Sequence, residues 1–122
     1  MSRDAQNQIS LSIHQALIQK FLIPDDDYFH VFEELDKEQI HYPNEYLGVT
    51  HSNNIIFIQI IAGSGRTEDQ KKSLYAEIAE RISSTTEISI NDIIIILIEN
   101  GTYHNWSFGR GEIQKPPQLR LI

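Results

Sequence analysis

One arginine stands where the chain favours an anion. Arg66 lies between Gly65 and Thr67, and Thr67 is a good N-cap for the periodic apolar stretch that follows it. The backbone N–H groups and the dipole of a helix start attract negative charge. A guanidinium beside them can form a charge-assisted pair with a carboxylate. The pattern predicts recognition of an acid, and the alternative is a solvent-facing surface arginine.

A turn aspartate is the second candidate. Asp27 ends a run of three aspartates after Pro24, a run that lacks the EF-hand spacing of a calcium loop. A short acid here can hydrogen-bond turn amides, as Asp92 would in a similar turn later in the chain. The same carboxylate could instead orient a water or a substrate, so both roles stay open.

Two aromatic side chains, Trp106 and Phe108, lie in a glycine-rich loop. They can line a pocket, with Arg110 as a second cation, or pack the loop onto the sheet or a neighbouring subunit. The histidines show no metal-ligand spacing, and no nucleophile motif accompanies them: His14, His30, His41, His51 and His104. We therefore predict no metal and no other cofactor.

Composition narrows the class of protein. The 122 residues suffice for one domain, residues 1–122. The net charge of −7 argues against nucleic-acid and membrane partners, which need clustered Lys and Arg. The absence of cysteine excludes disulfide scaffolds and thiolate chemistry. No signal peptide or spanning segment is evident in the sequence, so a cytoplasmic location is expected.

Two helices and two buried strands are predicted. Residues 2–22 carry an apolar stripe at helical spacing, formed by Ala5, Ile9, Ile13, Ala16, Leu17 and Phe21. A second helix follows Thr67 to about Thr85. Residues 55–62 and 93–99 are nearly continuous and β-branched, which is typical of strands covered on both faces. An aromatic strand is predicted at residues 28–34, with short strands at residues 46–49 and 119–122.

The chain is a duplication. A shift of 65 residues (92 minus 27) aligns helix, turn, acid and strand in the two halves. It pairs Ser2 with Thr67, Asp4 with Asp69, Ile23 with Ile88, Asp27 with Asp92 and Glu34 with Glu99. Each half is thus a strand–helix–strand unit, but the first copy starts at its helix and has no leading strand.

The quoted residues resemble a known family. The second half has the pattern Gly-Arg-Thr-x-x-Gln-Lys-x-x-Leu-Tyr-x-x-Ile-Ala, and then Asp-Ile, Glu-Asn and Trp-Ser-Phe-Gly-x-Gly. The first half has His-Gln-Ala-Leu and Ile-Pro-x-x-Asp. Together these are similar to the tautomerase superfamily, in its malonate-semialdehyde-decarboxylase-like branch.

The resemblance implies an α+β fold of duplicated β-α-β units, with two helices on one face of a sheet and the first strand absent. It also implies a homotrimer and a small carboxylic-acid substrate. Asp27 would assist catalysis, Arg66 would hold the acid, and Ser64 stands where the branch has a further arginine. Trp106 and Phe108 match its aromatic wall. Lys115 lies near the place of a late aromatic residue.

The catalytic N-terminal proline of the family has no counterpart, because Met1 falls where the family has already begun its first helix. The amine of Ser2 would start a helix rather than a strand, which places it poorly for proton transfer. We expect residues 119–122 or a neighbouring subunit's strand to fill the gap, because an unpaired sheet edge is costly.

Two functions follow. The first is enzymatic: tautomerisation, decarboxylation or hydration of a small β-keto or unsaturated acid, which requires a proline upstream of Met1. The second is a proline-less module that binds small acids or serves assembly.

Overall fold

The computed structural model describes residues 1–115. The chain forms an α+β fold, as predicted, with two long helices and two small sheets. The helices are α1 (Arg3–Phe21) and α2 (Glu68–Thr85), and the strands are β1 (Glu45–Tyr46), β2 (Val49–Thr50), β3 (Ile56–Ala62) and β4 (Ile93–Glu99). That residues 1–122 form a single domain stays a prediction of the sequence.

The two helices begin alike, as the 65-residue repeat predicts. The Ser2 side chain accepts a hydrogen bond from the Ala5 N–H, and Thr67 accepts one from the Gln70 N–H, both at 3.1 Å. These caps satisfy backbone donors that the first turn leaves without a partner. α1 ends at Leu22, whose φ of 58° is left-handed.

β3 and β4 form a parallel pair in register from Ile56↔Ile93 to Ala62↔Glu99. One face of β3 is buried, through Ile58 and Ile60. The expectation that both faces are covered is wrong for the isolated protomer, because Phe57 and Ile61 are 51% and 56% exposed.

A single apolar core lies between the helices and the inner face of this sheet. Leu74, Ile78 and Ile82 on α2 are fully buried at helical spacing, and α1 packs against them. The buried apolar residues of the core are Ile9, Ala16, Leu17, Phe21, Ile58, Ile60, Leu74, Ile78 and Ile82. Within residues 1–115, neither helix is long and apolar enough to cross a bilayer.

The first copy of the repeat departs from the prediction. Residues 28–34 contain no strand, although their aromatic and β-branched residues favour one. A strand is defined by backbone hydrogen bonds to a neighbour, and no neighbouring strand lies beside this segment within the described residues.

A hairpin replaces the single edge strand predicted at residues 46–49. β1 and β2 pair in antiparallel fashion through Leu47 and Gly48, whose φ values of 51° and 82° are both positive. Two such residues form the tight turn that matches the twist of paired strands. Residues 119–122, the other predicted short strand, lie outside the described residues.

Candidate active site

A long groove runs along α1, between residues 28–34 and β3. Its floor is the apolar stripe of α1, through Ile9, Ile13, Leu17 and Phe21. One wall is residues 28–34, and the other is β3 along its whole length. Within the described residues, β3 pairs only with β4, so its second edge offers free N–H and C=O groups. The groove therefore has the lining that an additional strand requires.

The size of the groove supports the same conclusion. Its cavity volume is about 2390 Å³, whereas pockets for small molecules span roughly 300–1,000 Å³. A small acid would occupy only one end of it. The positions of the candidate residues, Arg66 first among them, indicate which end.

Arg66 lies where α1 ends. Its Nη2 donates to the Phe21 carbonyl oxygen at 3.0 Å, and its Nη1 donates to that of Gly63 at 3.2 Å. The guanidinium carbon lies 4.7 Å from the centroid of the Phe21 ring. A guanidinium has five N–H groups, so two donated bonds leave three for a ligand. Arg66 thus joins α1 to the turn before α2 and keeps donors for an anion.

The turn that carries Arg66 contacts the end of β4. Gly65 has a φ of 114°, a value that favours glycine. The backbone of Gly65 hydrogen-bonds to Glu99, whose Oε1 accepts from Lys71 Nζ at 2.7 Å. The hydrogen bond from Lys71 lowers the pKa of Glu99, and the positive charges of Lys71 and Arg66 add to the effect. The end of β4 therefore anchors the turn.

Ser64, the second residue predicted to bind substrate, is exposed on the same turn and also lines the groove. A Cβ added to Gly101 would lie 3.4 Å from Ser64 Oγ. The Asn100 N–H donates to the Ala62 carbonyl oxygen at 2.7 Å. The loop after β4 thus comes close to the turn beside Arg66.

Asp27, the acid predicted to assist catalysis, lies in the segment that follows α1. The Asp27 N–H donates to the Pro24 carbonyl oxygen at 3.2 Å, which closes a turn. Asp27 also lines the groove. His14 Nε2 donates to the Asp25 carbonyl oxygen at 2.7 Å, which fixes the turn against α1. The Asp27 carboxylate is exposed and makes no side-chain hydrogen bond within the described residues.

Asp92, the repeat partner of Asp27, has a different environment. It is 3% exposed, and its carboxylate accepts from the Ser52 N–H at 2.7 Å and from Ser52 Oγ at 2.5 Å. Of the two acids, Asp27 and Asp92, it is therefore Asp92 whose carboxylate has the structural role of a hydrogen-bond acceptor. Asp27 is left available for a ligand.

This contrast predicts unequal effects on stability. Asp92→Ala should lower the free energy of unfolding by about 2–4 kcal/mol, because it leaves two donors of Ser52 without their charged acceptor. Asp27→Ala is the matched control and should cost less than about 0.5 kcal/mol, as for an exposed site. Urea unfolding of the two variants measures the difference. Equal losses would show that the repeat partners share one structural role.

Three aromatic rings form one stack beside the site. Trp106 and Phe108 lie with centroids 5.4 Å apart and an interplanar angle of 8°. Phe29, from the wall formed by residues 28–34, stacks on Phe108 with centroids 5.4 Å apart and an interplanar angle of 29°. All three rings line the groove. The sequence predicts Trp106 and Phe108 as pocket residues but not Phe29. The position of Phe29, two residues after Asp27, is the feature of the sequence that could have identified it.

The loop that carries two of these rings is fixed by Gln114, which the sequence also did not single out. Its Oε1 accepts from the Phe108 N–H at 2.8 Å, and its Nε2 donates to the Gly109 carbonyl oxygen at 3.1 Å. Lys115 Nζ lies 5.7 Å from the centroid of the Tyr103 ring. The suggestion that Arg110 adds a cation to the pocket is wrong, because Arg110 does not line the groove and lies 3.7 Å from Glu112.

A histidine links one wall of the groove to α1. His30 Nδ1 and Ser10 Oγ share a hydrogen bond of 2.7 Å, which ties residues 28–34 to α1. Burial lowers the pKa of His30, and the charge of His14 adds to the effect. Among residues 1–115, no group of three histidine or carboxylate side chains could hold a metal ion.

The backbone amine of this chain lies at the other end of the groove. The Met1 ammonium is 3.1 Å from Glu34 Oε1. Arg66 contacts Phe21, at the far end of α1, and a helix of 19 residues is about 28 Å long. The amine of Met1 is therefore far from Arg66.

The α+β fold and the groove are accompanied by a match to a known family. The family model described as "Tautomerase enzyme" matches residues 27–109 of this chain. The chain belongs to the tautomerase superfamily. It is 37% identical over 107 residues to the probable tautomerase YusQ of Bacillus subtilis strain 168, covering 88% of this chain and 84% of that relative.

Solved structures agree with this assignment. A malonate semialdehyde decarboxylase, FG41, inhibited by 3-bromopropiolate, is 29% identical with a TM-score of 0.83, over 92% of this chain and 84% of that one. A fused 4-OT solved as an asymmetric trimer has a TM-score of 0.68 at 21% identity, over 91% and 85%, and shares the fold alone. The resemblance inferred from the sequence is thus confirmed.

Proposed function

We propose that this chain forms the acid-binding site of a tautomerase-superfamily enzyme. The reaction is tautomerisation, decarboxylation or hydration of a small β-keto or unsaturated carboxylic acid. Arg66 holds the carboxylate with its remaining N–H groups, and Asp27 orients water or the reacting group. The observation that carries the proposal is the placement of Arg66, Asp27 and the aromatic stack along one groove. The 29% identity with a malonate semialdehyde decarboxylase supports the type of substrate.

The enzymatic function requires a proton-transferring group, and a segment before Met1 would supply it. A strand rises about 3.3 Å per residue, so eight or nine residues cover the roughly 28 Å between the two ends of α1. A strand that runs along the groove into Met1 would therefore place its first residue at the Arg66 end. A proline there has a secondary amine that titrates near neutral pH and can exchange protons with the substrate.

The reading frame upstream of Met1 gives the quickest test. We expect a start codon, a proline codon and about eight further residues with a mainly apolar pattern, a length that follows from the strand rise. A stop codon in that frame would rule out catalysis by an N-terminal proline.

A proline-less module that binds small acids or serves assembly is the second candidate. The observation that favours it is that Arg66, Asp27 and the three stacked rings line one groove within residues 1–115, so these residues by themselves offer a site for an acid. Under this proposal the 122-residue protein binds acids but turns none over. A cytoplasmic location remains a prediction of the sequence for either candidate.

We further propose a homotrimer. Phe57 and Ile61 lie on the outer face of β3, opposite Ile94 and Ile98 in register, and this face is apolar and partly exposed. Large exposed apolar patches on soluble proteins are usually covered by a partner. Trimers are what the family resemblance implies, and a second and a third copy would cover this face.

Phe57→Asp should convert the trimer to a monomer, because a buried, unpaired carboxylate at an interface is strongly unfavourable. Sedimentation velocity measures the change in mass. Leu11→Asp is the matched control, since Leu11 is equally exposed (53% against 51%) but lies on the outer surface of α1. A parent protein that is monomeric, or a Phe57 variant that stays trimeric, would contradict the proposal.

A further inference from the structure

Phe29 presents an aromatic surface that the proposed chemistry does not use. Its side chain is 75% exposed, although it is large and apolar. Within the described residues its ring contacts one other ring, Phe108, at 5.4 Å. One face of the Phe29 ring is therefore covered and the other is open to the groove.

The position of this ring is fixed on both sides. Phe108 is itself stacked on Trp106, and its N–H is held by Gln114. The segment that carries Phe29 is tied to α1 through the bond between Ser10 and His30. A flat apolar face that is held in place before binding loses little conformational freedom when a ligand covers it.

The open face also borders the groove that the candidate acid-binding residues line. Phe29 follows Asp27 by two residues, and both line the groove together with Arg66. Stacked rings prefer a flat π-system as the next layer, offset from the ring below. An acid whose carboxylate is at Arg66 could extend its other end over Phe29.

We propose that Phe29 is a specificity-determining residue that contacts the substrate and selects acids with a flat aryl or conjugated substituent. The inference rests on the proposed function, because it places the acid group at Arg66. It makes malonate semialdehyde, which has no such substituent, a poorer ligand than an aryl-substituted acid.

The test is the binding of two matched acids to the 122-residue protein. Trp106 is the single tryptophan of the chain, so its fluorescence reports on the stack. 3-Phenylpropanoate should bind about two- to twelve-fold more tightly than 3-cyclohexylpropanoate, as expected for a ring contact beyond area burial. Phe29→Leu should abolish this preference. Phe32→Leu, the same change at a ring without a ring contact in residues 1–115, should keep it.

Other outcomes separate this inference from the function on which it rests. A preference for the phenyl acid that is equal in the parent and in Phe29→Leu overturns the role of Phe29, as does a parent that does not bind 3-phenylpropanoate. Loss of both acids in Arg66→Ala would leave the proposed function in place. Binding of both acids that is indifferent to Arg66→Ala, with a preference that still needs Phe29, would overturn only the carboxylate site.

Discussion

The protein produced with the proline-bearing segment upstream of Met1 is expected to turn over its substrate at least about 100-fold faster than the 122-residue chain, the lower end of what positioned acid–base catalysis contributes. The physical reason is position. The Met1 amine is paired with Glu34, at the opposite end of α1 from Arg66. An amine that is many ångströms from the reacting atoms cannot transfer their proton.

Ketonisation of phenylenolpyruvate and decarboxylation of malonate semialdehyde are the two assays. In the longer protein, a proline-to-alanine change should return the rate to that of the 122-residue chain within about tenfold, because a primary amine retains only part of the function. A 122-residue chain that is as active as the longer protein would refute the role of the segment.

The second large effect concerns Arg66. Arg66→Ala should lower kcat/KM by about 10- to 150-fold, the equivalent of one charge-assisted hydrogen-bonded pair of roughly 1.5–3 kcal/mol. The same change removes the bonds from Arg66 to Phe21 and Gly63, so some loss of stability should accompany it. Arg66→Lys retains a point charge but not the forked geometry and should recover only part of the activity.

Arg110→Ala is the matched control for this measurement. The Arg110 side chain is 79% exposed, lies 3.7 Å from Glu112 and does not line the groove. The kcat/KM of the Arg110→Ala variant should stay within about twofold of that of the parent protein, as for surface changes away from a site. Thermal unfolding of both variants separates lost folding from lost chemistry. An Arg66 variant that is folded and fully active would show that this arginine is only structural.

The helices and the second half of the sheet were predictable because their signals are local. Ser2 and Thr67 cap their own first turns, and the stripes of apolar residues identify which helix faces are buried. β4 was predicted with the bounds that the structure shows, since a run of β-branched residues between two turns leaves few alternatives.

The first half could not be predicted as well, because a strand depends on its neighbours. Residues 28–34 have the composition of a strand, yet composition does not show whether a partner lies beside them. Burial of β3 was overestimated for a similar reason. A continuous apolar strand does not reveal whether its second face is covered by the same chain or by another copy.

Candidate residues for the site could be named from the sequence, but their different surroundings could not be predicted. Asp27 and Asp92 look equivalent in sequence, and only the contact of Asp92 with Ser52, forty residues earlier, separates them. Phe29 joins the stack through a contact with Phe108 that no local pattern reports. Such contacts between distant residues decide which of several plausible side chains can meet a substrate.

The position of the proline nitrogen in the longer protein is the most direct test of its catalytic role, and a crystal structure of that protein measures it. We predict that the residues before Met1 lie as a strand paired with the free edge of β3. The proline nitrogen should then lie within about 10 Å of the Arg66 guanidinium, close enough for one small acid to contact both. A proline nitrogen that lies much farther than this from the Arg66 guanidinium would contradict the proposed role of the segment.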